Sequence, residues 1–256
     1  IDRYFEEMKK PFTKQLKIAF STTSPVGTPV TEDAKQAVEK TVKWLEAQGH
    51  IVEEKENGVD GVQLMRDYFL MNSGEMATTI KQLEKALDRK ITAEDVEVES
   101  WLLNVAGKSV TAIEYSESLA SWDTAAAYMA KLHETYDFYV TPATAFTAPR
   151  IGELTFSHKE REILIDEMEN IEKNEQQELI YDMFLPSLTY SPFSQLANLT
   201  GQPAMSVPVH IAGNGLPIGV QVIAQKGKEE ALLKLAYQLE QSDLWVGMQG
   251  NPFFSR

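Results

Sequence analysis

An α/β fold, layered α/β/α around a mixed sheet, is predicted by three stretches of this sequence. The first is LKIAF, Leu16 to Phe20, followed by a helical pattern and then by HIVEE, which together make a β-α-β unit. The second is Phe138 to Thr141, an apolar run stopped at the Thr141-Pro142 step, which reads as a buried strand. The third is MSVPVHI and IGVQVIA, two strands joined by AGNG; its glycines and Asn214 are expected to supply the positive φ angles of a tight reversal, so the strands pair antiparallel.

The elements follow in order. The helix after LKIAF begins at Thr31, a capping residue, with Glu32 and Asp33 at the positive end of the dipole. Ala34, Val38, Val42 and Leu45 share its face, and Gly49 ends it. The longest helix is expected from Asp60 to Leu87, with Val62, Met65, Phe69, Met76, Ile80, Leu83 and Leu87 on one stripe. Asn72 shares that stripe, so its amide either finds partners inside the protein or faces a pocket. A further amphipathic helix is expected over Ser109 to Thr135, carrying Tyr115, Leu119, Trp122, Ala126, Met129 and Leu132. His133 near its end is explained by the helix dipole.

Ser157 to Met183 is rich in Glu and Lys with sparse apolar positions, and reads as an exposed helical excursion with a solvated face. SPFSQLANLTG carries helix punctuation, with Ser191 as N-cap, Pro192 at the first helical position and Gly201 past the end. A closing helix over Glu229 to Glu240 turns Ala231, Leu232, Leu235, Ala236 and Leu239 toward the sheet.

Composition narrows the function. With 38 acidic against 24 basic residues the net charge is -14, which repels phosphate and makes nucleic acid and anionic membranes poor partners. There is no cysteine, which excludes thiolate chemistry and fits a cytoplasmic chain. The four histidines, His50, His133, His158 and His210, show no ligand spacing, so neither a metal nor another cofactor is expected. No GxSxG elbow, P-loop, GxGxxG after a strand, HExxH or SxxK occurs. Thr78 and Lys81 form a TxxK, with Lys81 off the apolar stripe and read as a solvated lysine. What remains is a set of small polar residues where loops meet strands: Ser24, Thr141, Thr144, Tyr190, Asn198, Thr200 and Gln221. Ligands of open α/β sheets bind outside the carboxyl ends of strands, which makes these pocket candidates without supplying a nucleophile beside a base.

Taken in order, LKIAFSTTSPVGTPVTEDAKQAVEKTVKWLEAQGHIVEE, DFYVTPAT, SPFSQLANLTGQPAMSVPV and GLPIGVQVIA resemble the C-terminal part of an amidase-signature family hydrolase, from about Leu16 to Glu240. FLMNSGEMA, Phe69 to Ala77, further resembles the branch of 6-aminohexanoate-cyclic-dimer hydrolases. The resemblance implies residues 1-15 as a lead-in or linker and 16-256 as the C-terminal portion of an amidase-signature domain. It also implies a small amide as substrate of the full-length parent. The family's Ser-cisSer-Lys triad lies in a Gly- and Ser-rich region; no Gly-Ser-Ser run occurs in this sequence, so no catalytic residue is assigned. The substrate-pocket candidates are Asn72, Thr141, Tyr190, Asn198 and Thr200.

Two readings follow. In the first the chain is an amidase C-terminal portion, silent alone, whose partner is a missing N-terminal half; a homodimer is one way to cover the apolar surface so exposed. In the second it is a stand-alone α/β small-ligand-binding or scaffold protein derived from an amidase half. A complete enzyme built on Asn72, Glu75 and His210 is disfavoured, because these read as ordinary amphipathic positions.

Overall fold

The structure, a computed structural model, describes residues 2–247; Ile1 and residues 248–256 lie outside the described residues. In chain order the elements are α1 (Asp2–Glu7), β1 (Lys17–Phe20), α2 (Glu32–Ala47), β2 (Ile51–Glu54), α3 (Gly61–Leu87), α4 (Val98–Gly107) and α5 (Ala112–Leu132). There follow β3 (Phe138–Pro142), α6 (His158–Asn170), α7 (Lys173–Tyr190), α8 (Ser194–Thr200), β4 (Ala204–Ile211), β5 (Pro217–Ala224) and α9 (Glu229–Glu240). Two compact units form. Of the described residues, the first comprises 2–59, 125–149 and 189–247, and the second Asp60–Thr124 and Arg150–Leu188.

The first unit is built on a five-stranded mixed sheet in the order β2-β1-β3-β5-β4. β2, β1 and β3 run parallel, while β5 pairs antiparallel with both β3 and β4. Period-two alternation divides the sheet's side chains. Ile18, Phe138, Val140, Val220 and Val222 belong to one core with Ala34, Val38 and Leu45 of α2 and Leu232, Leu235 and Leu239 of α9. The alternate positions, Tyr139, Thr141, Gln221 and Ile223, are also buried, so the central strands are covered on both faces.

The expected caps of α2 are present. Thr31 accepts the Ala34 N–H, Glu32 and Asp33 occupy the first turn, and Gly49 takes φ +86 beyond the end. In the hairpin turn the positive φ belongs to Gly215 and not to Asn214. Asn214 acts through its side chain instead, Oδ1 accepting Leu216 N–H at 3.1 Å and Nδ2 donating to Thr147 Oγ1 at 3.0 Å. The helix expected to start at Pro192 starts at Ser194, with no side-chain cap, and Gly201 closes it in the left-handed region at φ +68.

His133 requires a different reading from the helix dipole. Its ring is buried and Nδ1 lies 2.9 Å from the Tyr136 carbonyl, which can only accept, so Nδ1 carries the proton. Burial pushes its pKa below the usual histidine value, so the neutral ring is the favoured form. A depressed folded pKa means that the unfolded chain binds the proton more readily. The stabilisation is complete above the unfolded value of about 6.5 and is lost as pH falls through it toward the folded pKa. His133→Gln is therefore expected to flatten the loss of stability between neutral and mildly acidic pH, measured by urea denaturation at stepped pH. An unchanged slope would show that this ring does not titrate on unfolding.

The second unit is helical. Asp60 caps α3 by accepting Gln63 N–H at 3.0 Å, and α3 buries Leu64, Met65, Phe69, Ser73 and Ile80. The stripe stops there, because Leu83 and Leu87 are exposed. α4 lies within a stretch for which the sequence reading gave no helix; VESWLLNVAG is too apolar to show a one-sided stripe, and Leu102, Leu103, Asn104 and Ala106 are all buried. The stretch expected over 157-183 to be helical with a solvated charged face is so, as α6 and α7, but each helix also has a packed side. Met168 and Ile180 are fully buried, and Tyr181 and Met183 nearly so. The charged residues of α6 and α7 mask a few apolar positions that carry the packing. Phe69 stacks on Phe184 with ring centroids 4.7 Å apart and meets Tyr181 edge-on at 6.3 Å.

Candidate functional site

The loops after β1 and β3 leave the carboxyl ends of adjacent parallel strands. Ser21, just past β1, donates from Oγ to Glu56 at 2.7 Å and accepts the Thr23 N–H at 3.0 Å. Ser24 and Thr28 pair their hydroxyls at 2.9 Å, closing the next turn. After β3, Thr144 Oγ1 donates to the Phe146 carbonyl at 2.8 Å and the Ala145 N–H to the Tyr190 carbonyl at 2.9 Å. The Ala145 carbonyl accepts from both Thr31 N–H at 3.0 Å and Thr31 Oγ1 at 2.7 Å. One residue of the β3 loop thus fixes the start of α2 and the end of α7. The Phe146 and Tyr190 rings lie 5.0 Å apart.

Beneath this loop a polar bridge crosses the sheet. Thr141 and Gln221 are direct partners across β3 and β5. Gln221 Nε2 donates to Thr141 Oγ1 at 3.3 Å and to the Phe193 carbonyl at 3.0 Å, with Gln221 only 7% exposed. Gln221 therefore finds its partners inside this chain. Gln221→Leu keeps the volume but strands the Phe193 carbonyl, and is expected to cost about 2 kcal/mol of unfolding free energy. Urea denaturation at neutral pH checks this; a variant as stable as the parent would show that the bridge contributes nothing. Beside it, Tyr139 is buried, and desolvation followed by the charge of Glu56 pushes its phenol above the usual tyrosine range.

The five pocket candidates fall into different settings. Thr141 is buried in the bridge just described, and Tyr190 is half-buried against Phe146. Thr200 is buried, its Oγ1 donating to the Leu196 carbonyl at 2.7 Å and lying 3.0 Å from Gln202 Oε1. Asn198 is exposed on α8, with Nδ2 donating to the Ser194 carbonyl at 3.1 Å. Asn72 belongs to the second unit, half-buried, with Nδ2 donating to the Tyr68 carbonyl one turn back at 3.1 Å. Thr141 and Tyr190 thus sit at the strand-end loop, whereas Thr200 and Asn198 are tied to their own helix.

One polar cluster escaped the sequence reading. His210, buried on β4, lies 2.9 Å from Asp33 Oδ1 through Nε2 and 2.8 Å from Lys40 Nζ through Nδ1. An ammonium only donates and a carboxylate only accepts, so the ring satisfies both with its proton on Nε2. Asp33 and Lys40 stand two turns apart on α2, a spacing visible in the sequence. The partner was hidden by a β-bulge between Pro208 and His210, where Pro208 pairs with Gly219 and His210 with Ile218, so Val209 and His210 are both buried.

Among the described residues no serine hydroxyl is hydrogen-bonded to a lysine or histidine, the pairing that activates a serine nucleophile. Among the same residues no three His, Asp or Glu side chains converge as metal ligands. No described helix is long and apolar enough to cross a membrane.

A family model described as Amidase matches residues 1–233. A lipoamidase of Enterococcus faecalis is 35% identical over 223 residues, covering 87% of this chain and 31% of that protein. A 6-aminohexanoate-cyclic-dimer hydrolase of Paenarthrobacter ureafaciens is 27% identical over 238 residues, covering 90% of this chain and 45% of that protein. The solved structure of a 6-aminohexanoate cyclic dimer hydrolase complexed with substrate superposes with a TM-score of 0.77 at 25% identity, over 93% of this chain and 47% of that one. The chain spans about a third to a half of the length of the curated relatives it matches.

Proposed function

The chain belongs to the amidase-signature family, and on that premise we propose that it is the C-terminal portion of a serine-dependent hydrolase of linear or cyclic amide C–N bonds, silent without an N-terminal half. The observation that carries this reading is the match over residues 1–233 by a sequence that contains no Gly-Ser-Ser run. The relatives, a lipoamidase and 6-aminohexanoate-cyclic-dimer hydrolases, support an amide as the substrate class of the full-length parent.

In this reading the portion supplies substrate-pocket wall and core, and the missing half supplies the serine, its bridging serine and the lysine that takes the proton. Tyr190, half-buried at the anchor of the loop after β3, is the candidate for direct substrate contact on the first unit. Thr141, buried within the Gln221 bridge, holds the strand-end loop in place, and Thr200 and Asn198 brace α8. A cytoplasmic location and homodimer formation belong to the same proposal.

Incubation with a fluorophosphonate, followed by intact-mass measurement, tests the silence. The expected result is no stoichiometric adduct on this chain. A single serine labelled to completion would show that the chain carries its own activated nucleophile.

A further inference from the structure

We infer that the outer edge of β4 takes up an extended segment of the N-terminal half as a further strand, paired along Ala204 to Ser206; this rests on the reading proposed above. β4 closes one side of the sheet, and the phase of its backbone groups is fixed from within. The Ala143 N–H donates to the Gly219 carbonyl at 3.0 Å, so Gly219, Gln221 and Ile223 turn their backbone groups toward β3. Val220, Val222 and Ala224 therefore face β4, in agreement with the bond from the Ala224 N–H to the Pro203 carbonyl at 3.0 Å.

On β4 the partners of these three are Val207, Met205 and Pro203, which leaves the backbone groups of Ala204, Ser206 and Pro208 pointing outward. Pro208 is satisfied, since it has no N–H and its carbonyl accepts the Val246 N–H at 2.9 Å. Ala204 and Ser206 are both exposed, and among the described residues neither has a backbone partner on the outer side. Alternate residues that each offer an N–H and a C=O on one side are the ladder to which an extended chain adds.

The two edges of the sheet differ in what they admit. β2 is four residues long and ends in Glu53 and Glu54, a short charged edge of the kind that resists pairing, whereas Ala204, Met205 and Ser206 carry no charge. The solved hydrolase structure on which this chain superposes is matched over 47% of its length, so a parent of that size has as much chain again from which the strand can come. The Val246 bond and the bulge between Pro208 and His210 end the open stretch, which holds the added strand to about three to five residues.

Hydrogen exchange, read amide by amide in nitrogen-15 spectra, compares this chain alone with the same chain joined in frame to an N-terminal amidase-signature segment. The Ala204 and Ser206 amides are expected to exchange at least about ten-fold more slowly in the joined polypeptide, while Met205 and Val207, bonded to β5, are protected in both. Ser206→Pro removes one outward N–H at an edge position that tolerates proline; it is expected to leave the urea midpoint of the chain alone unchanged and to undo the slowing at Ala204 in the joined polypeptide. Amide turnover by the joined polypeptide without slowing at Ala204 and Ser206 would overturn the edge assignment and leave the hydrolase reading standing. Slowing without turnover would uphold the edge and count against that reading. Protection of the two amides in the chain alone that grows with its concentration would give the edge to a second copy and overturn the proposal.

Discussion

Phe138→Ala is expected to lower the stability of the first unit by about 3–5 kcal/mol. Phe138 is 1% exposed at the start of β3, the central strand, paired with Ile18 on one side and Ala224 on the other. Its ring also meets Phe12 edge-on with centroids 6.2 Å apart. Removing it opens a cavity where the β3 register is set, and strands hydrogen-bonded on both sides cannot close in to fill it. Urea denaturation followed by far-ultraviolet circular dichroism measures the loss. A cost below about 1.5 kcal/mol, the range of tolerated hydrophobic swaps, would show that this core is looser than its burial implies.

Gly107→Ala should destabilise the second unit by about 3 kcal/mol, the upper part of the overpacking range. A Cβ at Gly107 would stand 1.9 Å from the Ser73 carbonyl oxygen and 2.4 Å from its carbon, which are backbone atoms of α3 and cannot rotate away. α3 and α4 would have to separate by more than about 1 Å, forfeiting much of their packing. Glycine is required there for close approach, since its φ is not in the left-handed region. Trp101 and Trp122 lie in the second unit and Trp44 and Trp245 in the first, so tryptophan fluorescence during urea unfolding, read in a Trp44→Phe/Trp245→Phe background, reports on the second unit. Unchanged fluorescence and midpoint in Gly107→Ala would mean that the helices do not approach as closely as described.

These two positions also mark what the sequence could and could not disclose. Phe138 announced itself, because DFYVTP is a short apolar run with a proline stop, and period two then assigned alternate residues to opposite faces. The β-α-β unit and the hairpin were legible for the same reason: capping residues, Gly49 and Gly215 mark local chain reversals. The place of β3 between β1 and β5 is set by pairings roughly 80 residues apart or more, such as Thr141 with Gln221, which no local pattern carries. α4 was missed because it is apolar nearly all round, and no local pattern shows that Gly107 seats one helix against another.

The candidate site shows the same division. Thr141 and Tyr190 stood out as polar residues at strand and loop junctions, and both lie at the loop after β3 or on its anchor. The link through Ala145 to Thr31 uses backbone atoms and is silent in sequence. His210 was concealed by the bulge at Pro208, since strict alternation would have buried only one of Val209 and His210.

Amide hydrolysis itself decides the central claim. A simple chromogenic amide is offered to this chain alone and to the same chain joined in frame to an N-terminal amidase-signature segment carrying its Gly- and Ser-rich region. The expected result is no turnover above background for the chain alone and turnover for the joined polypeptide. Hydrolysis by the chain alone at a rate matching the joined form would contradict the account.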